Sequence, residues 1–201
     1  MAGGQGGRRK PPVSKPKAKE AMRRNLAIAV VAVLFVALLG VCLSQRSGDK
    51  KAQDALVAEM TAGDCRYDTR TDSGSEHVEN PGPYSVDPPS GGDHTPQAAA
   101  NGIYGEQQVP PDGPLVHAME HGFIVVWYKA GDADAQVDAE TLGDDYPGET
   151  LVVPRASLDV PIAATAWHRR LLCPSFEADA LRAFIEGYRD KGPEKGFVQI
   201  T

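Results

Sequence analysis

Hydrophobic and polar positions divide the chain into stretches of different period. Leu26 to Leu43 (LAIAVVAVLFVALLGVCL) contains no charge. As a helix rising ~1.5 Å per residue it reaches about 27 Å, enough for the hydrocarbon core of a bilayer. A soluble core helix keeps a polar stripe, and this run is apolar all round, so it reads as a transmembrane helix. Ala52, Ala55, Leu56 and Met60 recur at helical spacing before Gly63 and predict a short stalk helix. From Asp64 to Pro114 the period disappears. Pro81, Pro83, Pro88, Pro89, Pro96, Pro110, Pro111 and Pro114, with Gly91-Gly92 between them, exclude a central strand or a long helix. Loops of that length are usually functional or disordered. Tyr84, His94 and Tyr104 favour an ordered wrap.

Beyond Gly122 the pattern becomes regular. Phe123–Tyr128 (FIVVWY) reads as a strand covered on both faces, Asp134–Leu142 as a helix, and Thr150–Val153 and Ile162–Trp167 as strands. Ser175–Tyr188 reads as a helix with Ser175 as N-cap, Glu177 and Asp179 in the first turn, and an apolar stripe of Leu181, Phe184, Ile185 and Tyr188. Phe197–Ile200 supplies a last strand. The order β-α-β-β-α-β predicts a small α+β domain of the ferredoxin-like type, carrying a long Pro-rich wrap and preceded by one transmembrane helix. The expected organisation is a disordered basic cytoplasmic arm over 1–25, a transmembrane helix over 26–43, a stalk over 44–63 and an extracytoplasmic α+β domain over 64–201.

Charge sets the orientation. Residues 1–25 hold eight Lys or Arg against Glu20 alone, leaving 13 basic and 26 acidic residues in the rest, a net charge of −13. Basic residues concentrated before the span keep the amino end in the cytoplasm of a cell membrane and put the acidic domain outside. An acidic domain repels phosphate backbones, so no nucleic acid is expected as a partner; the membrane is, and an envelope protein is a further candidate. Val41 before Cys42 suits neither a cleaved signal nor a lipoprotein site, so the anchor is read as uncleaved and Cys42 as a buried thiol. Cys65 and Cys173 are the available ectodomain pair and are expected to form a disulfide closing a loop of about 107 residues. Two free thiols or two metal ligands are the weaker readings, because neither belongs to a Cys-x-x-Cys spacing.

The densest set of candidate ligands is His117-Ala118-Met119-Glu120-His121-Gly122. On a helical turn its two imidazoles share one face about 6 Å apart and can hold one ion; on an extended strand they lie about 13 Å apart and cannot without a bulge. The His-x-x-Glu-His order is formally that of one class of metallopeptidase, but two helical turns and about 140 ectodomain residues give such an enzyme little support. A third histidine from the wrap, His94, would complete a nitrogen set suited to copper or zinc. Glu120 could ligate, orient a histidine from behind, or act as a base. The competing reading is internal bracing, in which the same side chains pin the loop backbone. On the residues alone, bracing stands slightly ahead. Met119 and the Trp127-Tyr128 pair read as core, and His168 as a solvated strand end.

The succession Pro88-Pro89-Ser90-Gly91-Gly92-Asp93-His94, Gly102-Ile103-Tyr104, His117-Ala118-Met119-Glu120-His121-Gly122, Ala166-Trp167, Cys173 and Gly192-Pro193-Glu194 resembles a bacterial family of membrane-anchored exported proteins classed as a domain of unknown function. That family is built around Pro-Pro-Thr-Ser-Gly-x-His and His-x-x-Glu-His-Gly. The resemblance covers roughly residues 64–196 and marks His94, His117, Glu120 and His121. Ser90-Gly91-Gly92 replaces the Thr-Ser-Gly arrangement, and His168 lies outside the pattern. The resemblance implies no established activity, but three histidines with one carboxylate bring metal binding level with bracing or above it. The expectation is therefore a copper ion, before zinc, on His94, His117 and His121, with Glu120 standing behind them. A bracing module without enzymatic activity and a hydrolase using Glu120 are the alternatives.

Overall fold

The computed structural model describes residues 16–194. It divides into two compact units, one reaching to Lys51 and the other starting at Ala52. Helix α1 (Pro16–Met60) contributes to both. In the first unit its apolar side chains, among them Leu26, Val31, Phe35 and Leu39, are exposed. This helix is long and apolar enough to cross a membrane, as an anchor or a signal sequence does. Cys42 is a free thiol exposed on it. Among the described residues, this helix includes 16–25 of the basic arm.

The second unit is a mixed six-stranded sheet. In chain order it contains β1 (Arg66–Asp68), β2 (Gly102–Ile103), α2 (Asp112–Glu120), β3 (Ile124–Lys129), α3 (Ala133–Asp145), β4 (Thr150–Arg155), β5 (Ile162–Ala166), β6 (Arg169–Cys173) and α4 (Ala178–Tyr188). The strands lie in the order β1-β6-β5-β3-β4-β2. β3 and β4 are direct parallel neighbours joined through α3, and β5 pairs antiparallel with the other side of β3. A ferredoxin-like sheet would insert a strand between that parallel pair, so the sheet departs from the expected order. β6 is a further strand that the sequence pattern did not predict. Arg169 and Arg170 make it look like a solvated end, yet Arg170 is buried and β6 forms a hairpin with β5. The expected strand Phe197–Ile200 lies outside the described residues.

Alternation on β3 sends side chains to both faces. Ile124, Val126 and Tyr128 join Ala139 and Leu142 of α3, Leu181, Phe184 and Ile185 of α4, and Met60. Val125 and Trp127 join Leu115, Val116, Ala118 and Met119 of α2. Leu56 and Val57, within the expected stalk, pack half-buried on the first of these cores. Asp132 caps α3 by accepting from the Ala135 N–H at 3.1 Å. Ser175 does not cap α4, because its hydroxyl donates to Glu177 Oε1 at 2.9 Å and the helix starts after Glu177.

Cys65, just before β1, is bonded to Cys173 at the end of β6, across a separation of 108 residues. Beside it the Asp68 carboxylate accepts from Arg170 Nε and Nη2 at 3.0 and 2.8 Å, while Arg170 Nη1 donates to Asp87 O at 2.7 Å. These bonds lead the wrap across the sheet. His168 takes a positive φ of 59° in the β5–β6 turn, stacks on Trp167, and its N–H donates to Ser90 O at 2.6 Å. It is thus a half-buried anchor of the wrap rather than a solvated end.

Candidate metal centre

The site is built where the wrap meets α2. Pro114 falls among the first residues of the helix, where its missing N–H removes no intrahelical bond. The helix closes at His121, and Gly122 at φ 93° turns the chain into β3. His117, Glu120 and His121 therefore stand at i, i+3 and i+4 on one stripe, the helical alternative for this motif. Leu115, Val116, Ala118 and Met119 belong to the apolar core against the sheet. In the wrap two passes pair as a bridge between His77 and His94. The Val78 N–H donates to His94 O at 2.8 Å and the His94 N–H to Glu76 O at 3.0 Å. A Cβ on Gly91 would stand 2.5 Å from His168 Cδ2 and from Thr71 Oγ1, so only glycine lets the wrap lie this close.

His77, His94, His117 and Glu120 each offer a ligand atom, and these atoms all lie within 4.8 Å of one another. Glu120 Oε2 is 2.9 Å from His94 Nε2 and 3.7 Å from His77 Nε2. Two donors on one ion at 2.0–2.1 Å and a tetrahedral angle would be ~3.3 Å apart, between those two values. The His94 side chain is fully buried and that of Glu120 nearly so, whereas that of His77 is 41% exposed and forms the outer wall.

Backbone carbonyls fix the tautomers. His94 Nδ1 lies 2.9 Å from Gly92 O and His117 Nδ1 lies 2.7 Å from Thr95 O. A carbonyl only accepts, so each Nδ1 carries the proton, and in the neutral imidazole Nε2 keeps the lone pair. His94 Nε2 and Glu120 Oε2 are buried, close, and without a hydrogen-bond partner. Two buried acceptors facing each other repel unless a proton on His94 or a metal ion lies between them. Burial, and after it the neighbouring His94, His121 and His77, push His117 down to about 4 despite its bond to Thr95 O. It therefore stays neutral, as a ligand must.

The residues singled out in the sequence separate here. His94, His117 and Glu120 come together, with Glu120 among the possible ligands rather than behind them. His121 falls in a neighbouring group with His117 and Glu194. His77, not singled out from the sequence, completes the group from its exposed side. Its partner His94 is seventeen residues away in a stretch without periodicity, and only the backbone bridge brings them together.

An apolar helix and an α+β domain whose proline-rich wrap meets α2 at a histidine–carboxylate cluster define the class. Within it, the chain belongs to the family described as "Protein of unknown function (DUF3105)", whose model matches residues 77–200. All the cluster residues lie within that span, whereas α1 and Cys65 lie before it. No curated protein and no solved structure matches the chain.

Proposed function

We propose that this is a single-pass membrane protein with its amino end in the cytoplasm, whose exported domain binds one transition-metal ion through His77, His94, His117 and Glu120. The observation that carries the reading is the convergence of four ligand atoms within 4.8 Å of one another around the buried pair His94 Nε2 and Glu120 Oε2, themselves 2.9 Å apart. The eight basic residues ahead of the apolar run support the orientation. The Cys65–Cys173 disulfide agrees with an oxidising compartment.

The donor set argues for a divalent ion. Imidazole nitrogen and carboxylate oxygen suit copper(II) and zinc, and affinity for such donors peaks at copper, so copper comes before zinc. Met119 is packed in the core and adds no soft sulfur ligand. Four protein ligands around one ion fit holding and delivery better than turnover. A second reading, internal bracing, draws on the histidine bonds to Gly92 O and Thr95 O, which pin the wrap with or without an ion.

The test is elemental mass spectrometry on the full-length protein, purified in detergent without a polyhistidine tag, beside His94→Ala. Near-stoichiometric copper or zinc in the wild type, lost from a variant with an unchanged circular dichroism spectrum, supports metal binding. A wild type that takes up neither ion returns the cluster to bracing.

A further inference from the structure

A second group gathers at the end of α2. His117, His121 and Glu194 offer ligand atoms within 4.8 Å of one another. His121 Nε2 lies 3.0 Å from His117 Nε2 and 3.6 Å from Glu194 Oε2. Glu194 reaches this place because the segment after α4 is fastened to the end of α2. The Asp190 N–H donates to Gly122 O at 2.9 Å and the Glu194 N–H to Glu120 O at 3.2 Å. A Cβ on Gly192 would lie 1.9 Å from Glu120 O, so this approach requires glycine.

Two features relate this group to the buried one. Side-chain exposure falls from 49% at Glu194 and 14% at His121 to 6% at Glu120 and 0% at His94, while His77 of the inner group is 41% exposed. His117 belongs to both groups but has one nitrogen to give, since Nδ1 is committed to Thr95 O. One neutral imidazole nitrogen binds one ion, so the two groups cannot be filled together. Meanwhile His121 Nδ1 is buried without a partner, like the atoms of the inner pair.

We infer that His121 and Glu194 form an outer position through which a divalent transition-metal ion passes to and from the buried group, with His117 Nε2 as the ligand common to both. This rests on the metal-binding reading above. At the outer position the ligands are His117, His121 and Glu194; moving inward, the ion exchanges the last two for His94, Glu120 and His77. Only lone pairs are exchanged, and no oxidation state changes. In the metal-free protein His121 donates its Nε2 proton to the His117 lone pair. To ligate through Nε2 it must give up that proton there and carry one on Nδ1 instead, so its net protonation is unchanged. Holding one ligand throughout means that the ion is never fully released between positions.

The experiment loads the full-length protein in detergent with copper(II). It follows uptake by stopped-flow absorbance and release by transfer to a chelator. Wild type should bind one copper per chain. Glu194→Gln and His121→Ala should reach the same stoichiometry and the same electron paramagnetic resonance spectrum, but load and release copper several-fold more slowly, while His94→Ala should fail to reach one copper. If His121→Ala does not fold, Glu194→Gln, at a half-exposed side chain, carries the test. Unchanged rates in Glu194→Gln, or two coppers bound at once by the wild type, would overturn the transfer route and leave metal binding standing. A wild type that binds no copper would overturn both.

Discussion

The two faces of the sheet are covered by different chemistry. On one, α3, α4 and the end of α1 lay Leu142, Phe184, Ile185 and Met60 on Ile124, Val126 and Tyr128, a core of apolar side chains. On the other, α2 turns Leu115 and Met119 to the sheet and His117 and Glu120 to the wrap, so that a polar layer lies buried over an apolar one. The first face is stabilised by area removed from water, roughly 25 cal/mol per Å². The second contains groups that cost stability unless each finds a partner. The protein therefore has one face that accounts for its folding and another whose arrangement burial alone does not explain.

The largest effect should come from the covalent link at the edge of the helical face. Replacing Cys65 and Cys173 together with Ser should cost about 4 to 5 kcal/mol on the chain-entropy relation for a loop of this length. Urea unfolding of the full-length protein, followed by circular dichroism, measures it. Within the same face, Phe184→Ala should cost about 3 to 5 kcal/mol, because the side chain is fully buried and its removal leaves a cavity. Neither change should alter copper stoichiometry in the fraction that remains folded. A selective loss of copper in a folded Phe184→Ala protein would mean that the two faces are coupled.

The helical face was the more legible of the two. The runs Phe123–Tyr128 and Leu181–Tyr188 announce a covered strand and an amphipathic helix, because burial writes its period directly into sequence. β6 was hidden because Arg169 and Arg170 look like a solvated end; the burial of Arg170 depends on Asp68, which lies about a hundred residues earlier. On the wrap face the helical spacing of His117, Glu120 and His121 was visible as one of two geometries, and His94 was found by its surroundings. His77 was not found, since a loop has no period and its position follows from two backbone hydrogen bonds to a distant strand-like pass. Glu194 appeared only as part of a Gly-Pro-Glu string, with nothing local to tie it to His121.

A smaller effect tests how the wrap is held. Burial alone would raise the Asp68 carboxyl, but hydrogen bonds from Arg170 and Arg70 outweigh it and keep the group well below its ordinary 3.8. With the folded value depressed, the unfolded chain takes up the proton first. The stabilisation is present above about pH 4 and is lost as pH falls below it. Asp68→Asn should cost about 1.5 to 3 kcal/mol at pH 7, the range for hydrogen bonds to charged groups. It should also flatten the decline in urea midpoint between pH 5 and pH 3. An Asp68→Asn protein with the wild-type acid profile would show that the wrap is held by other contacts.

The smallest predicted change in stability is the one that best separates the faces. Glu120 Oε2 and the His94 Nε2 lone pair stand 2.9 Å apart, both buried. Gln at position 120 keeps the shape, removes the charge, and supplies an N–H that can donate to that lone pair. Glu120→Gln should therefore leave the metal-free protein as stable as the wild type or more stable by about 1 kcal/mol, the net worth of one buried hydrogen bond. Its copper affinity should fall at the same time, because an amide is a poorer ligand than a carboxylate. For a residue that only braces the wrap the sign reverses: removing a well-paired buried carboxylate destabilises the fold and leaves nothing else to change. Urea unfolding in chelator beside copper titration of the same variant reads both quantities. A destabilised Glu120→Gln protein with unchanged copper affinity would assign the cluster to the architecture of the wrap.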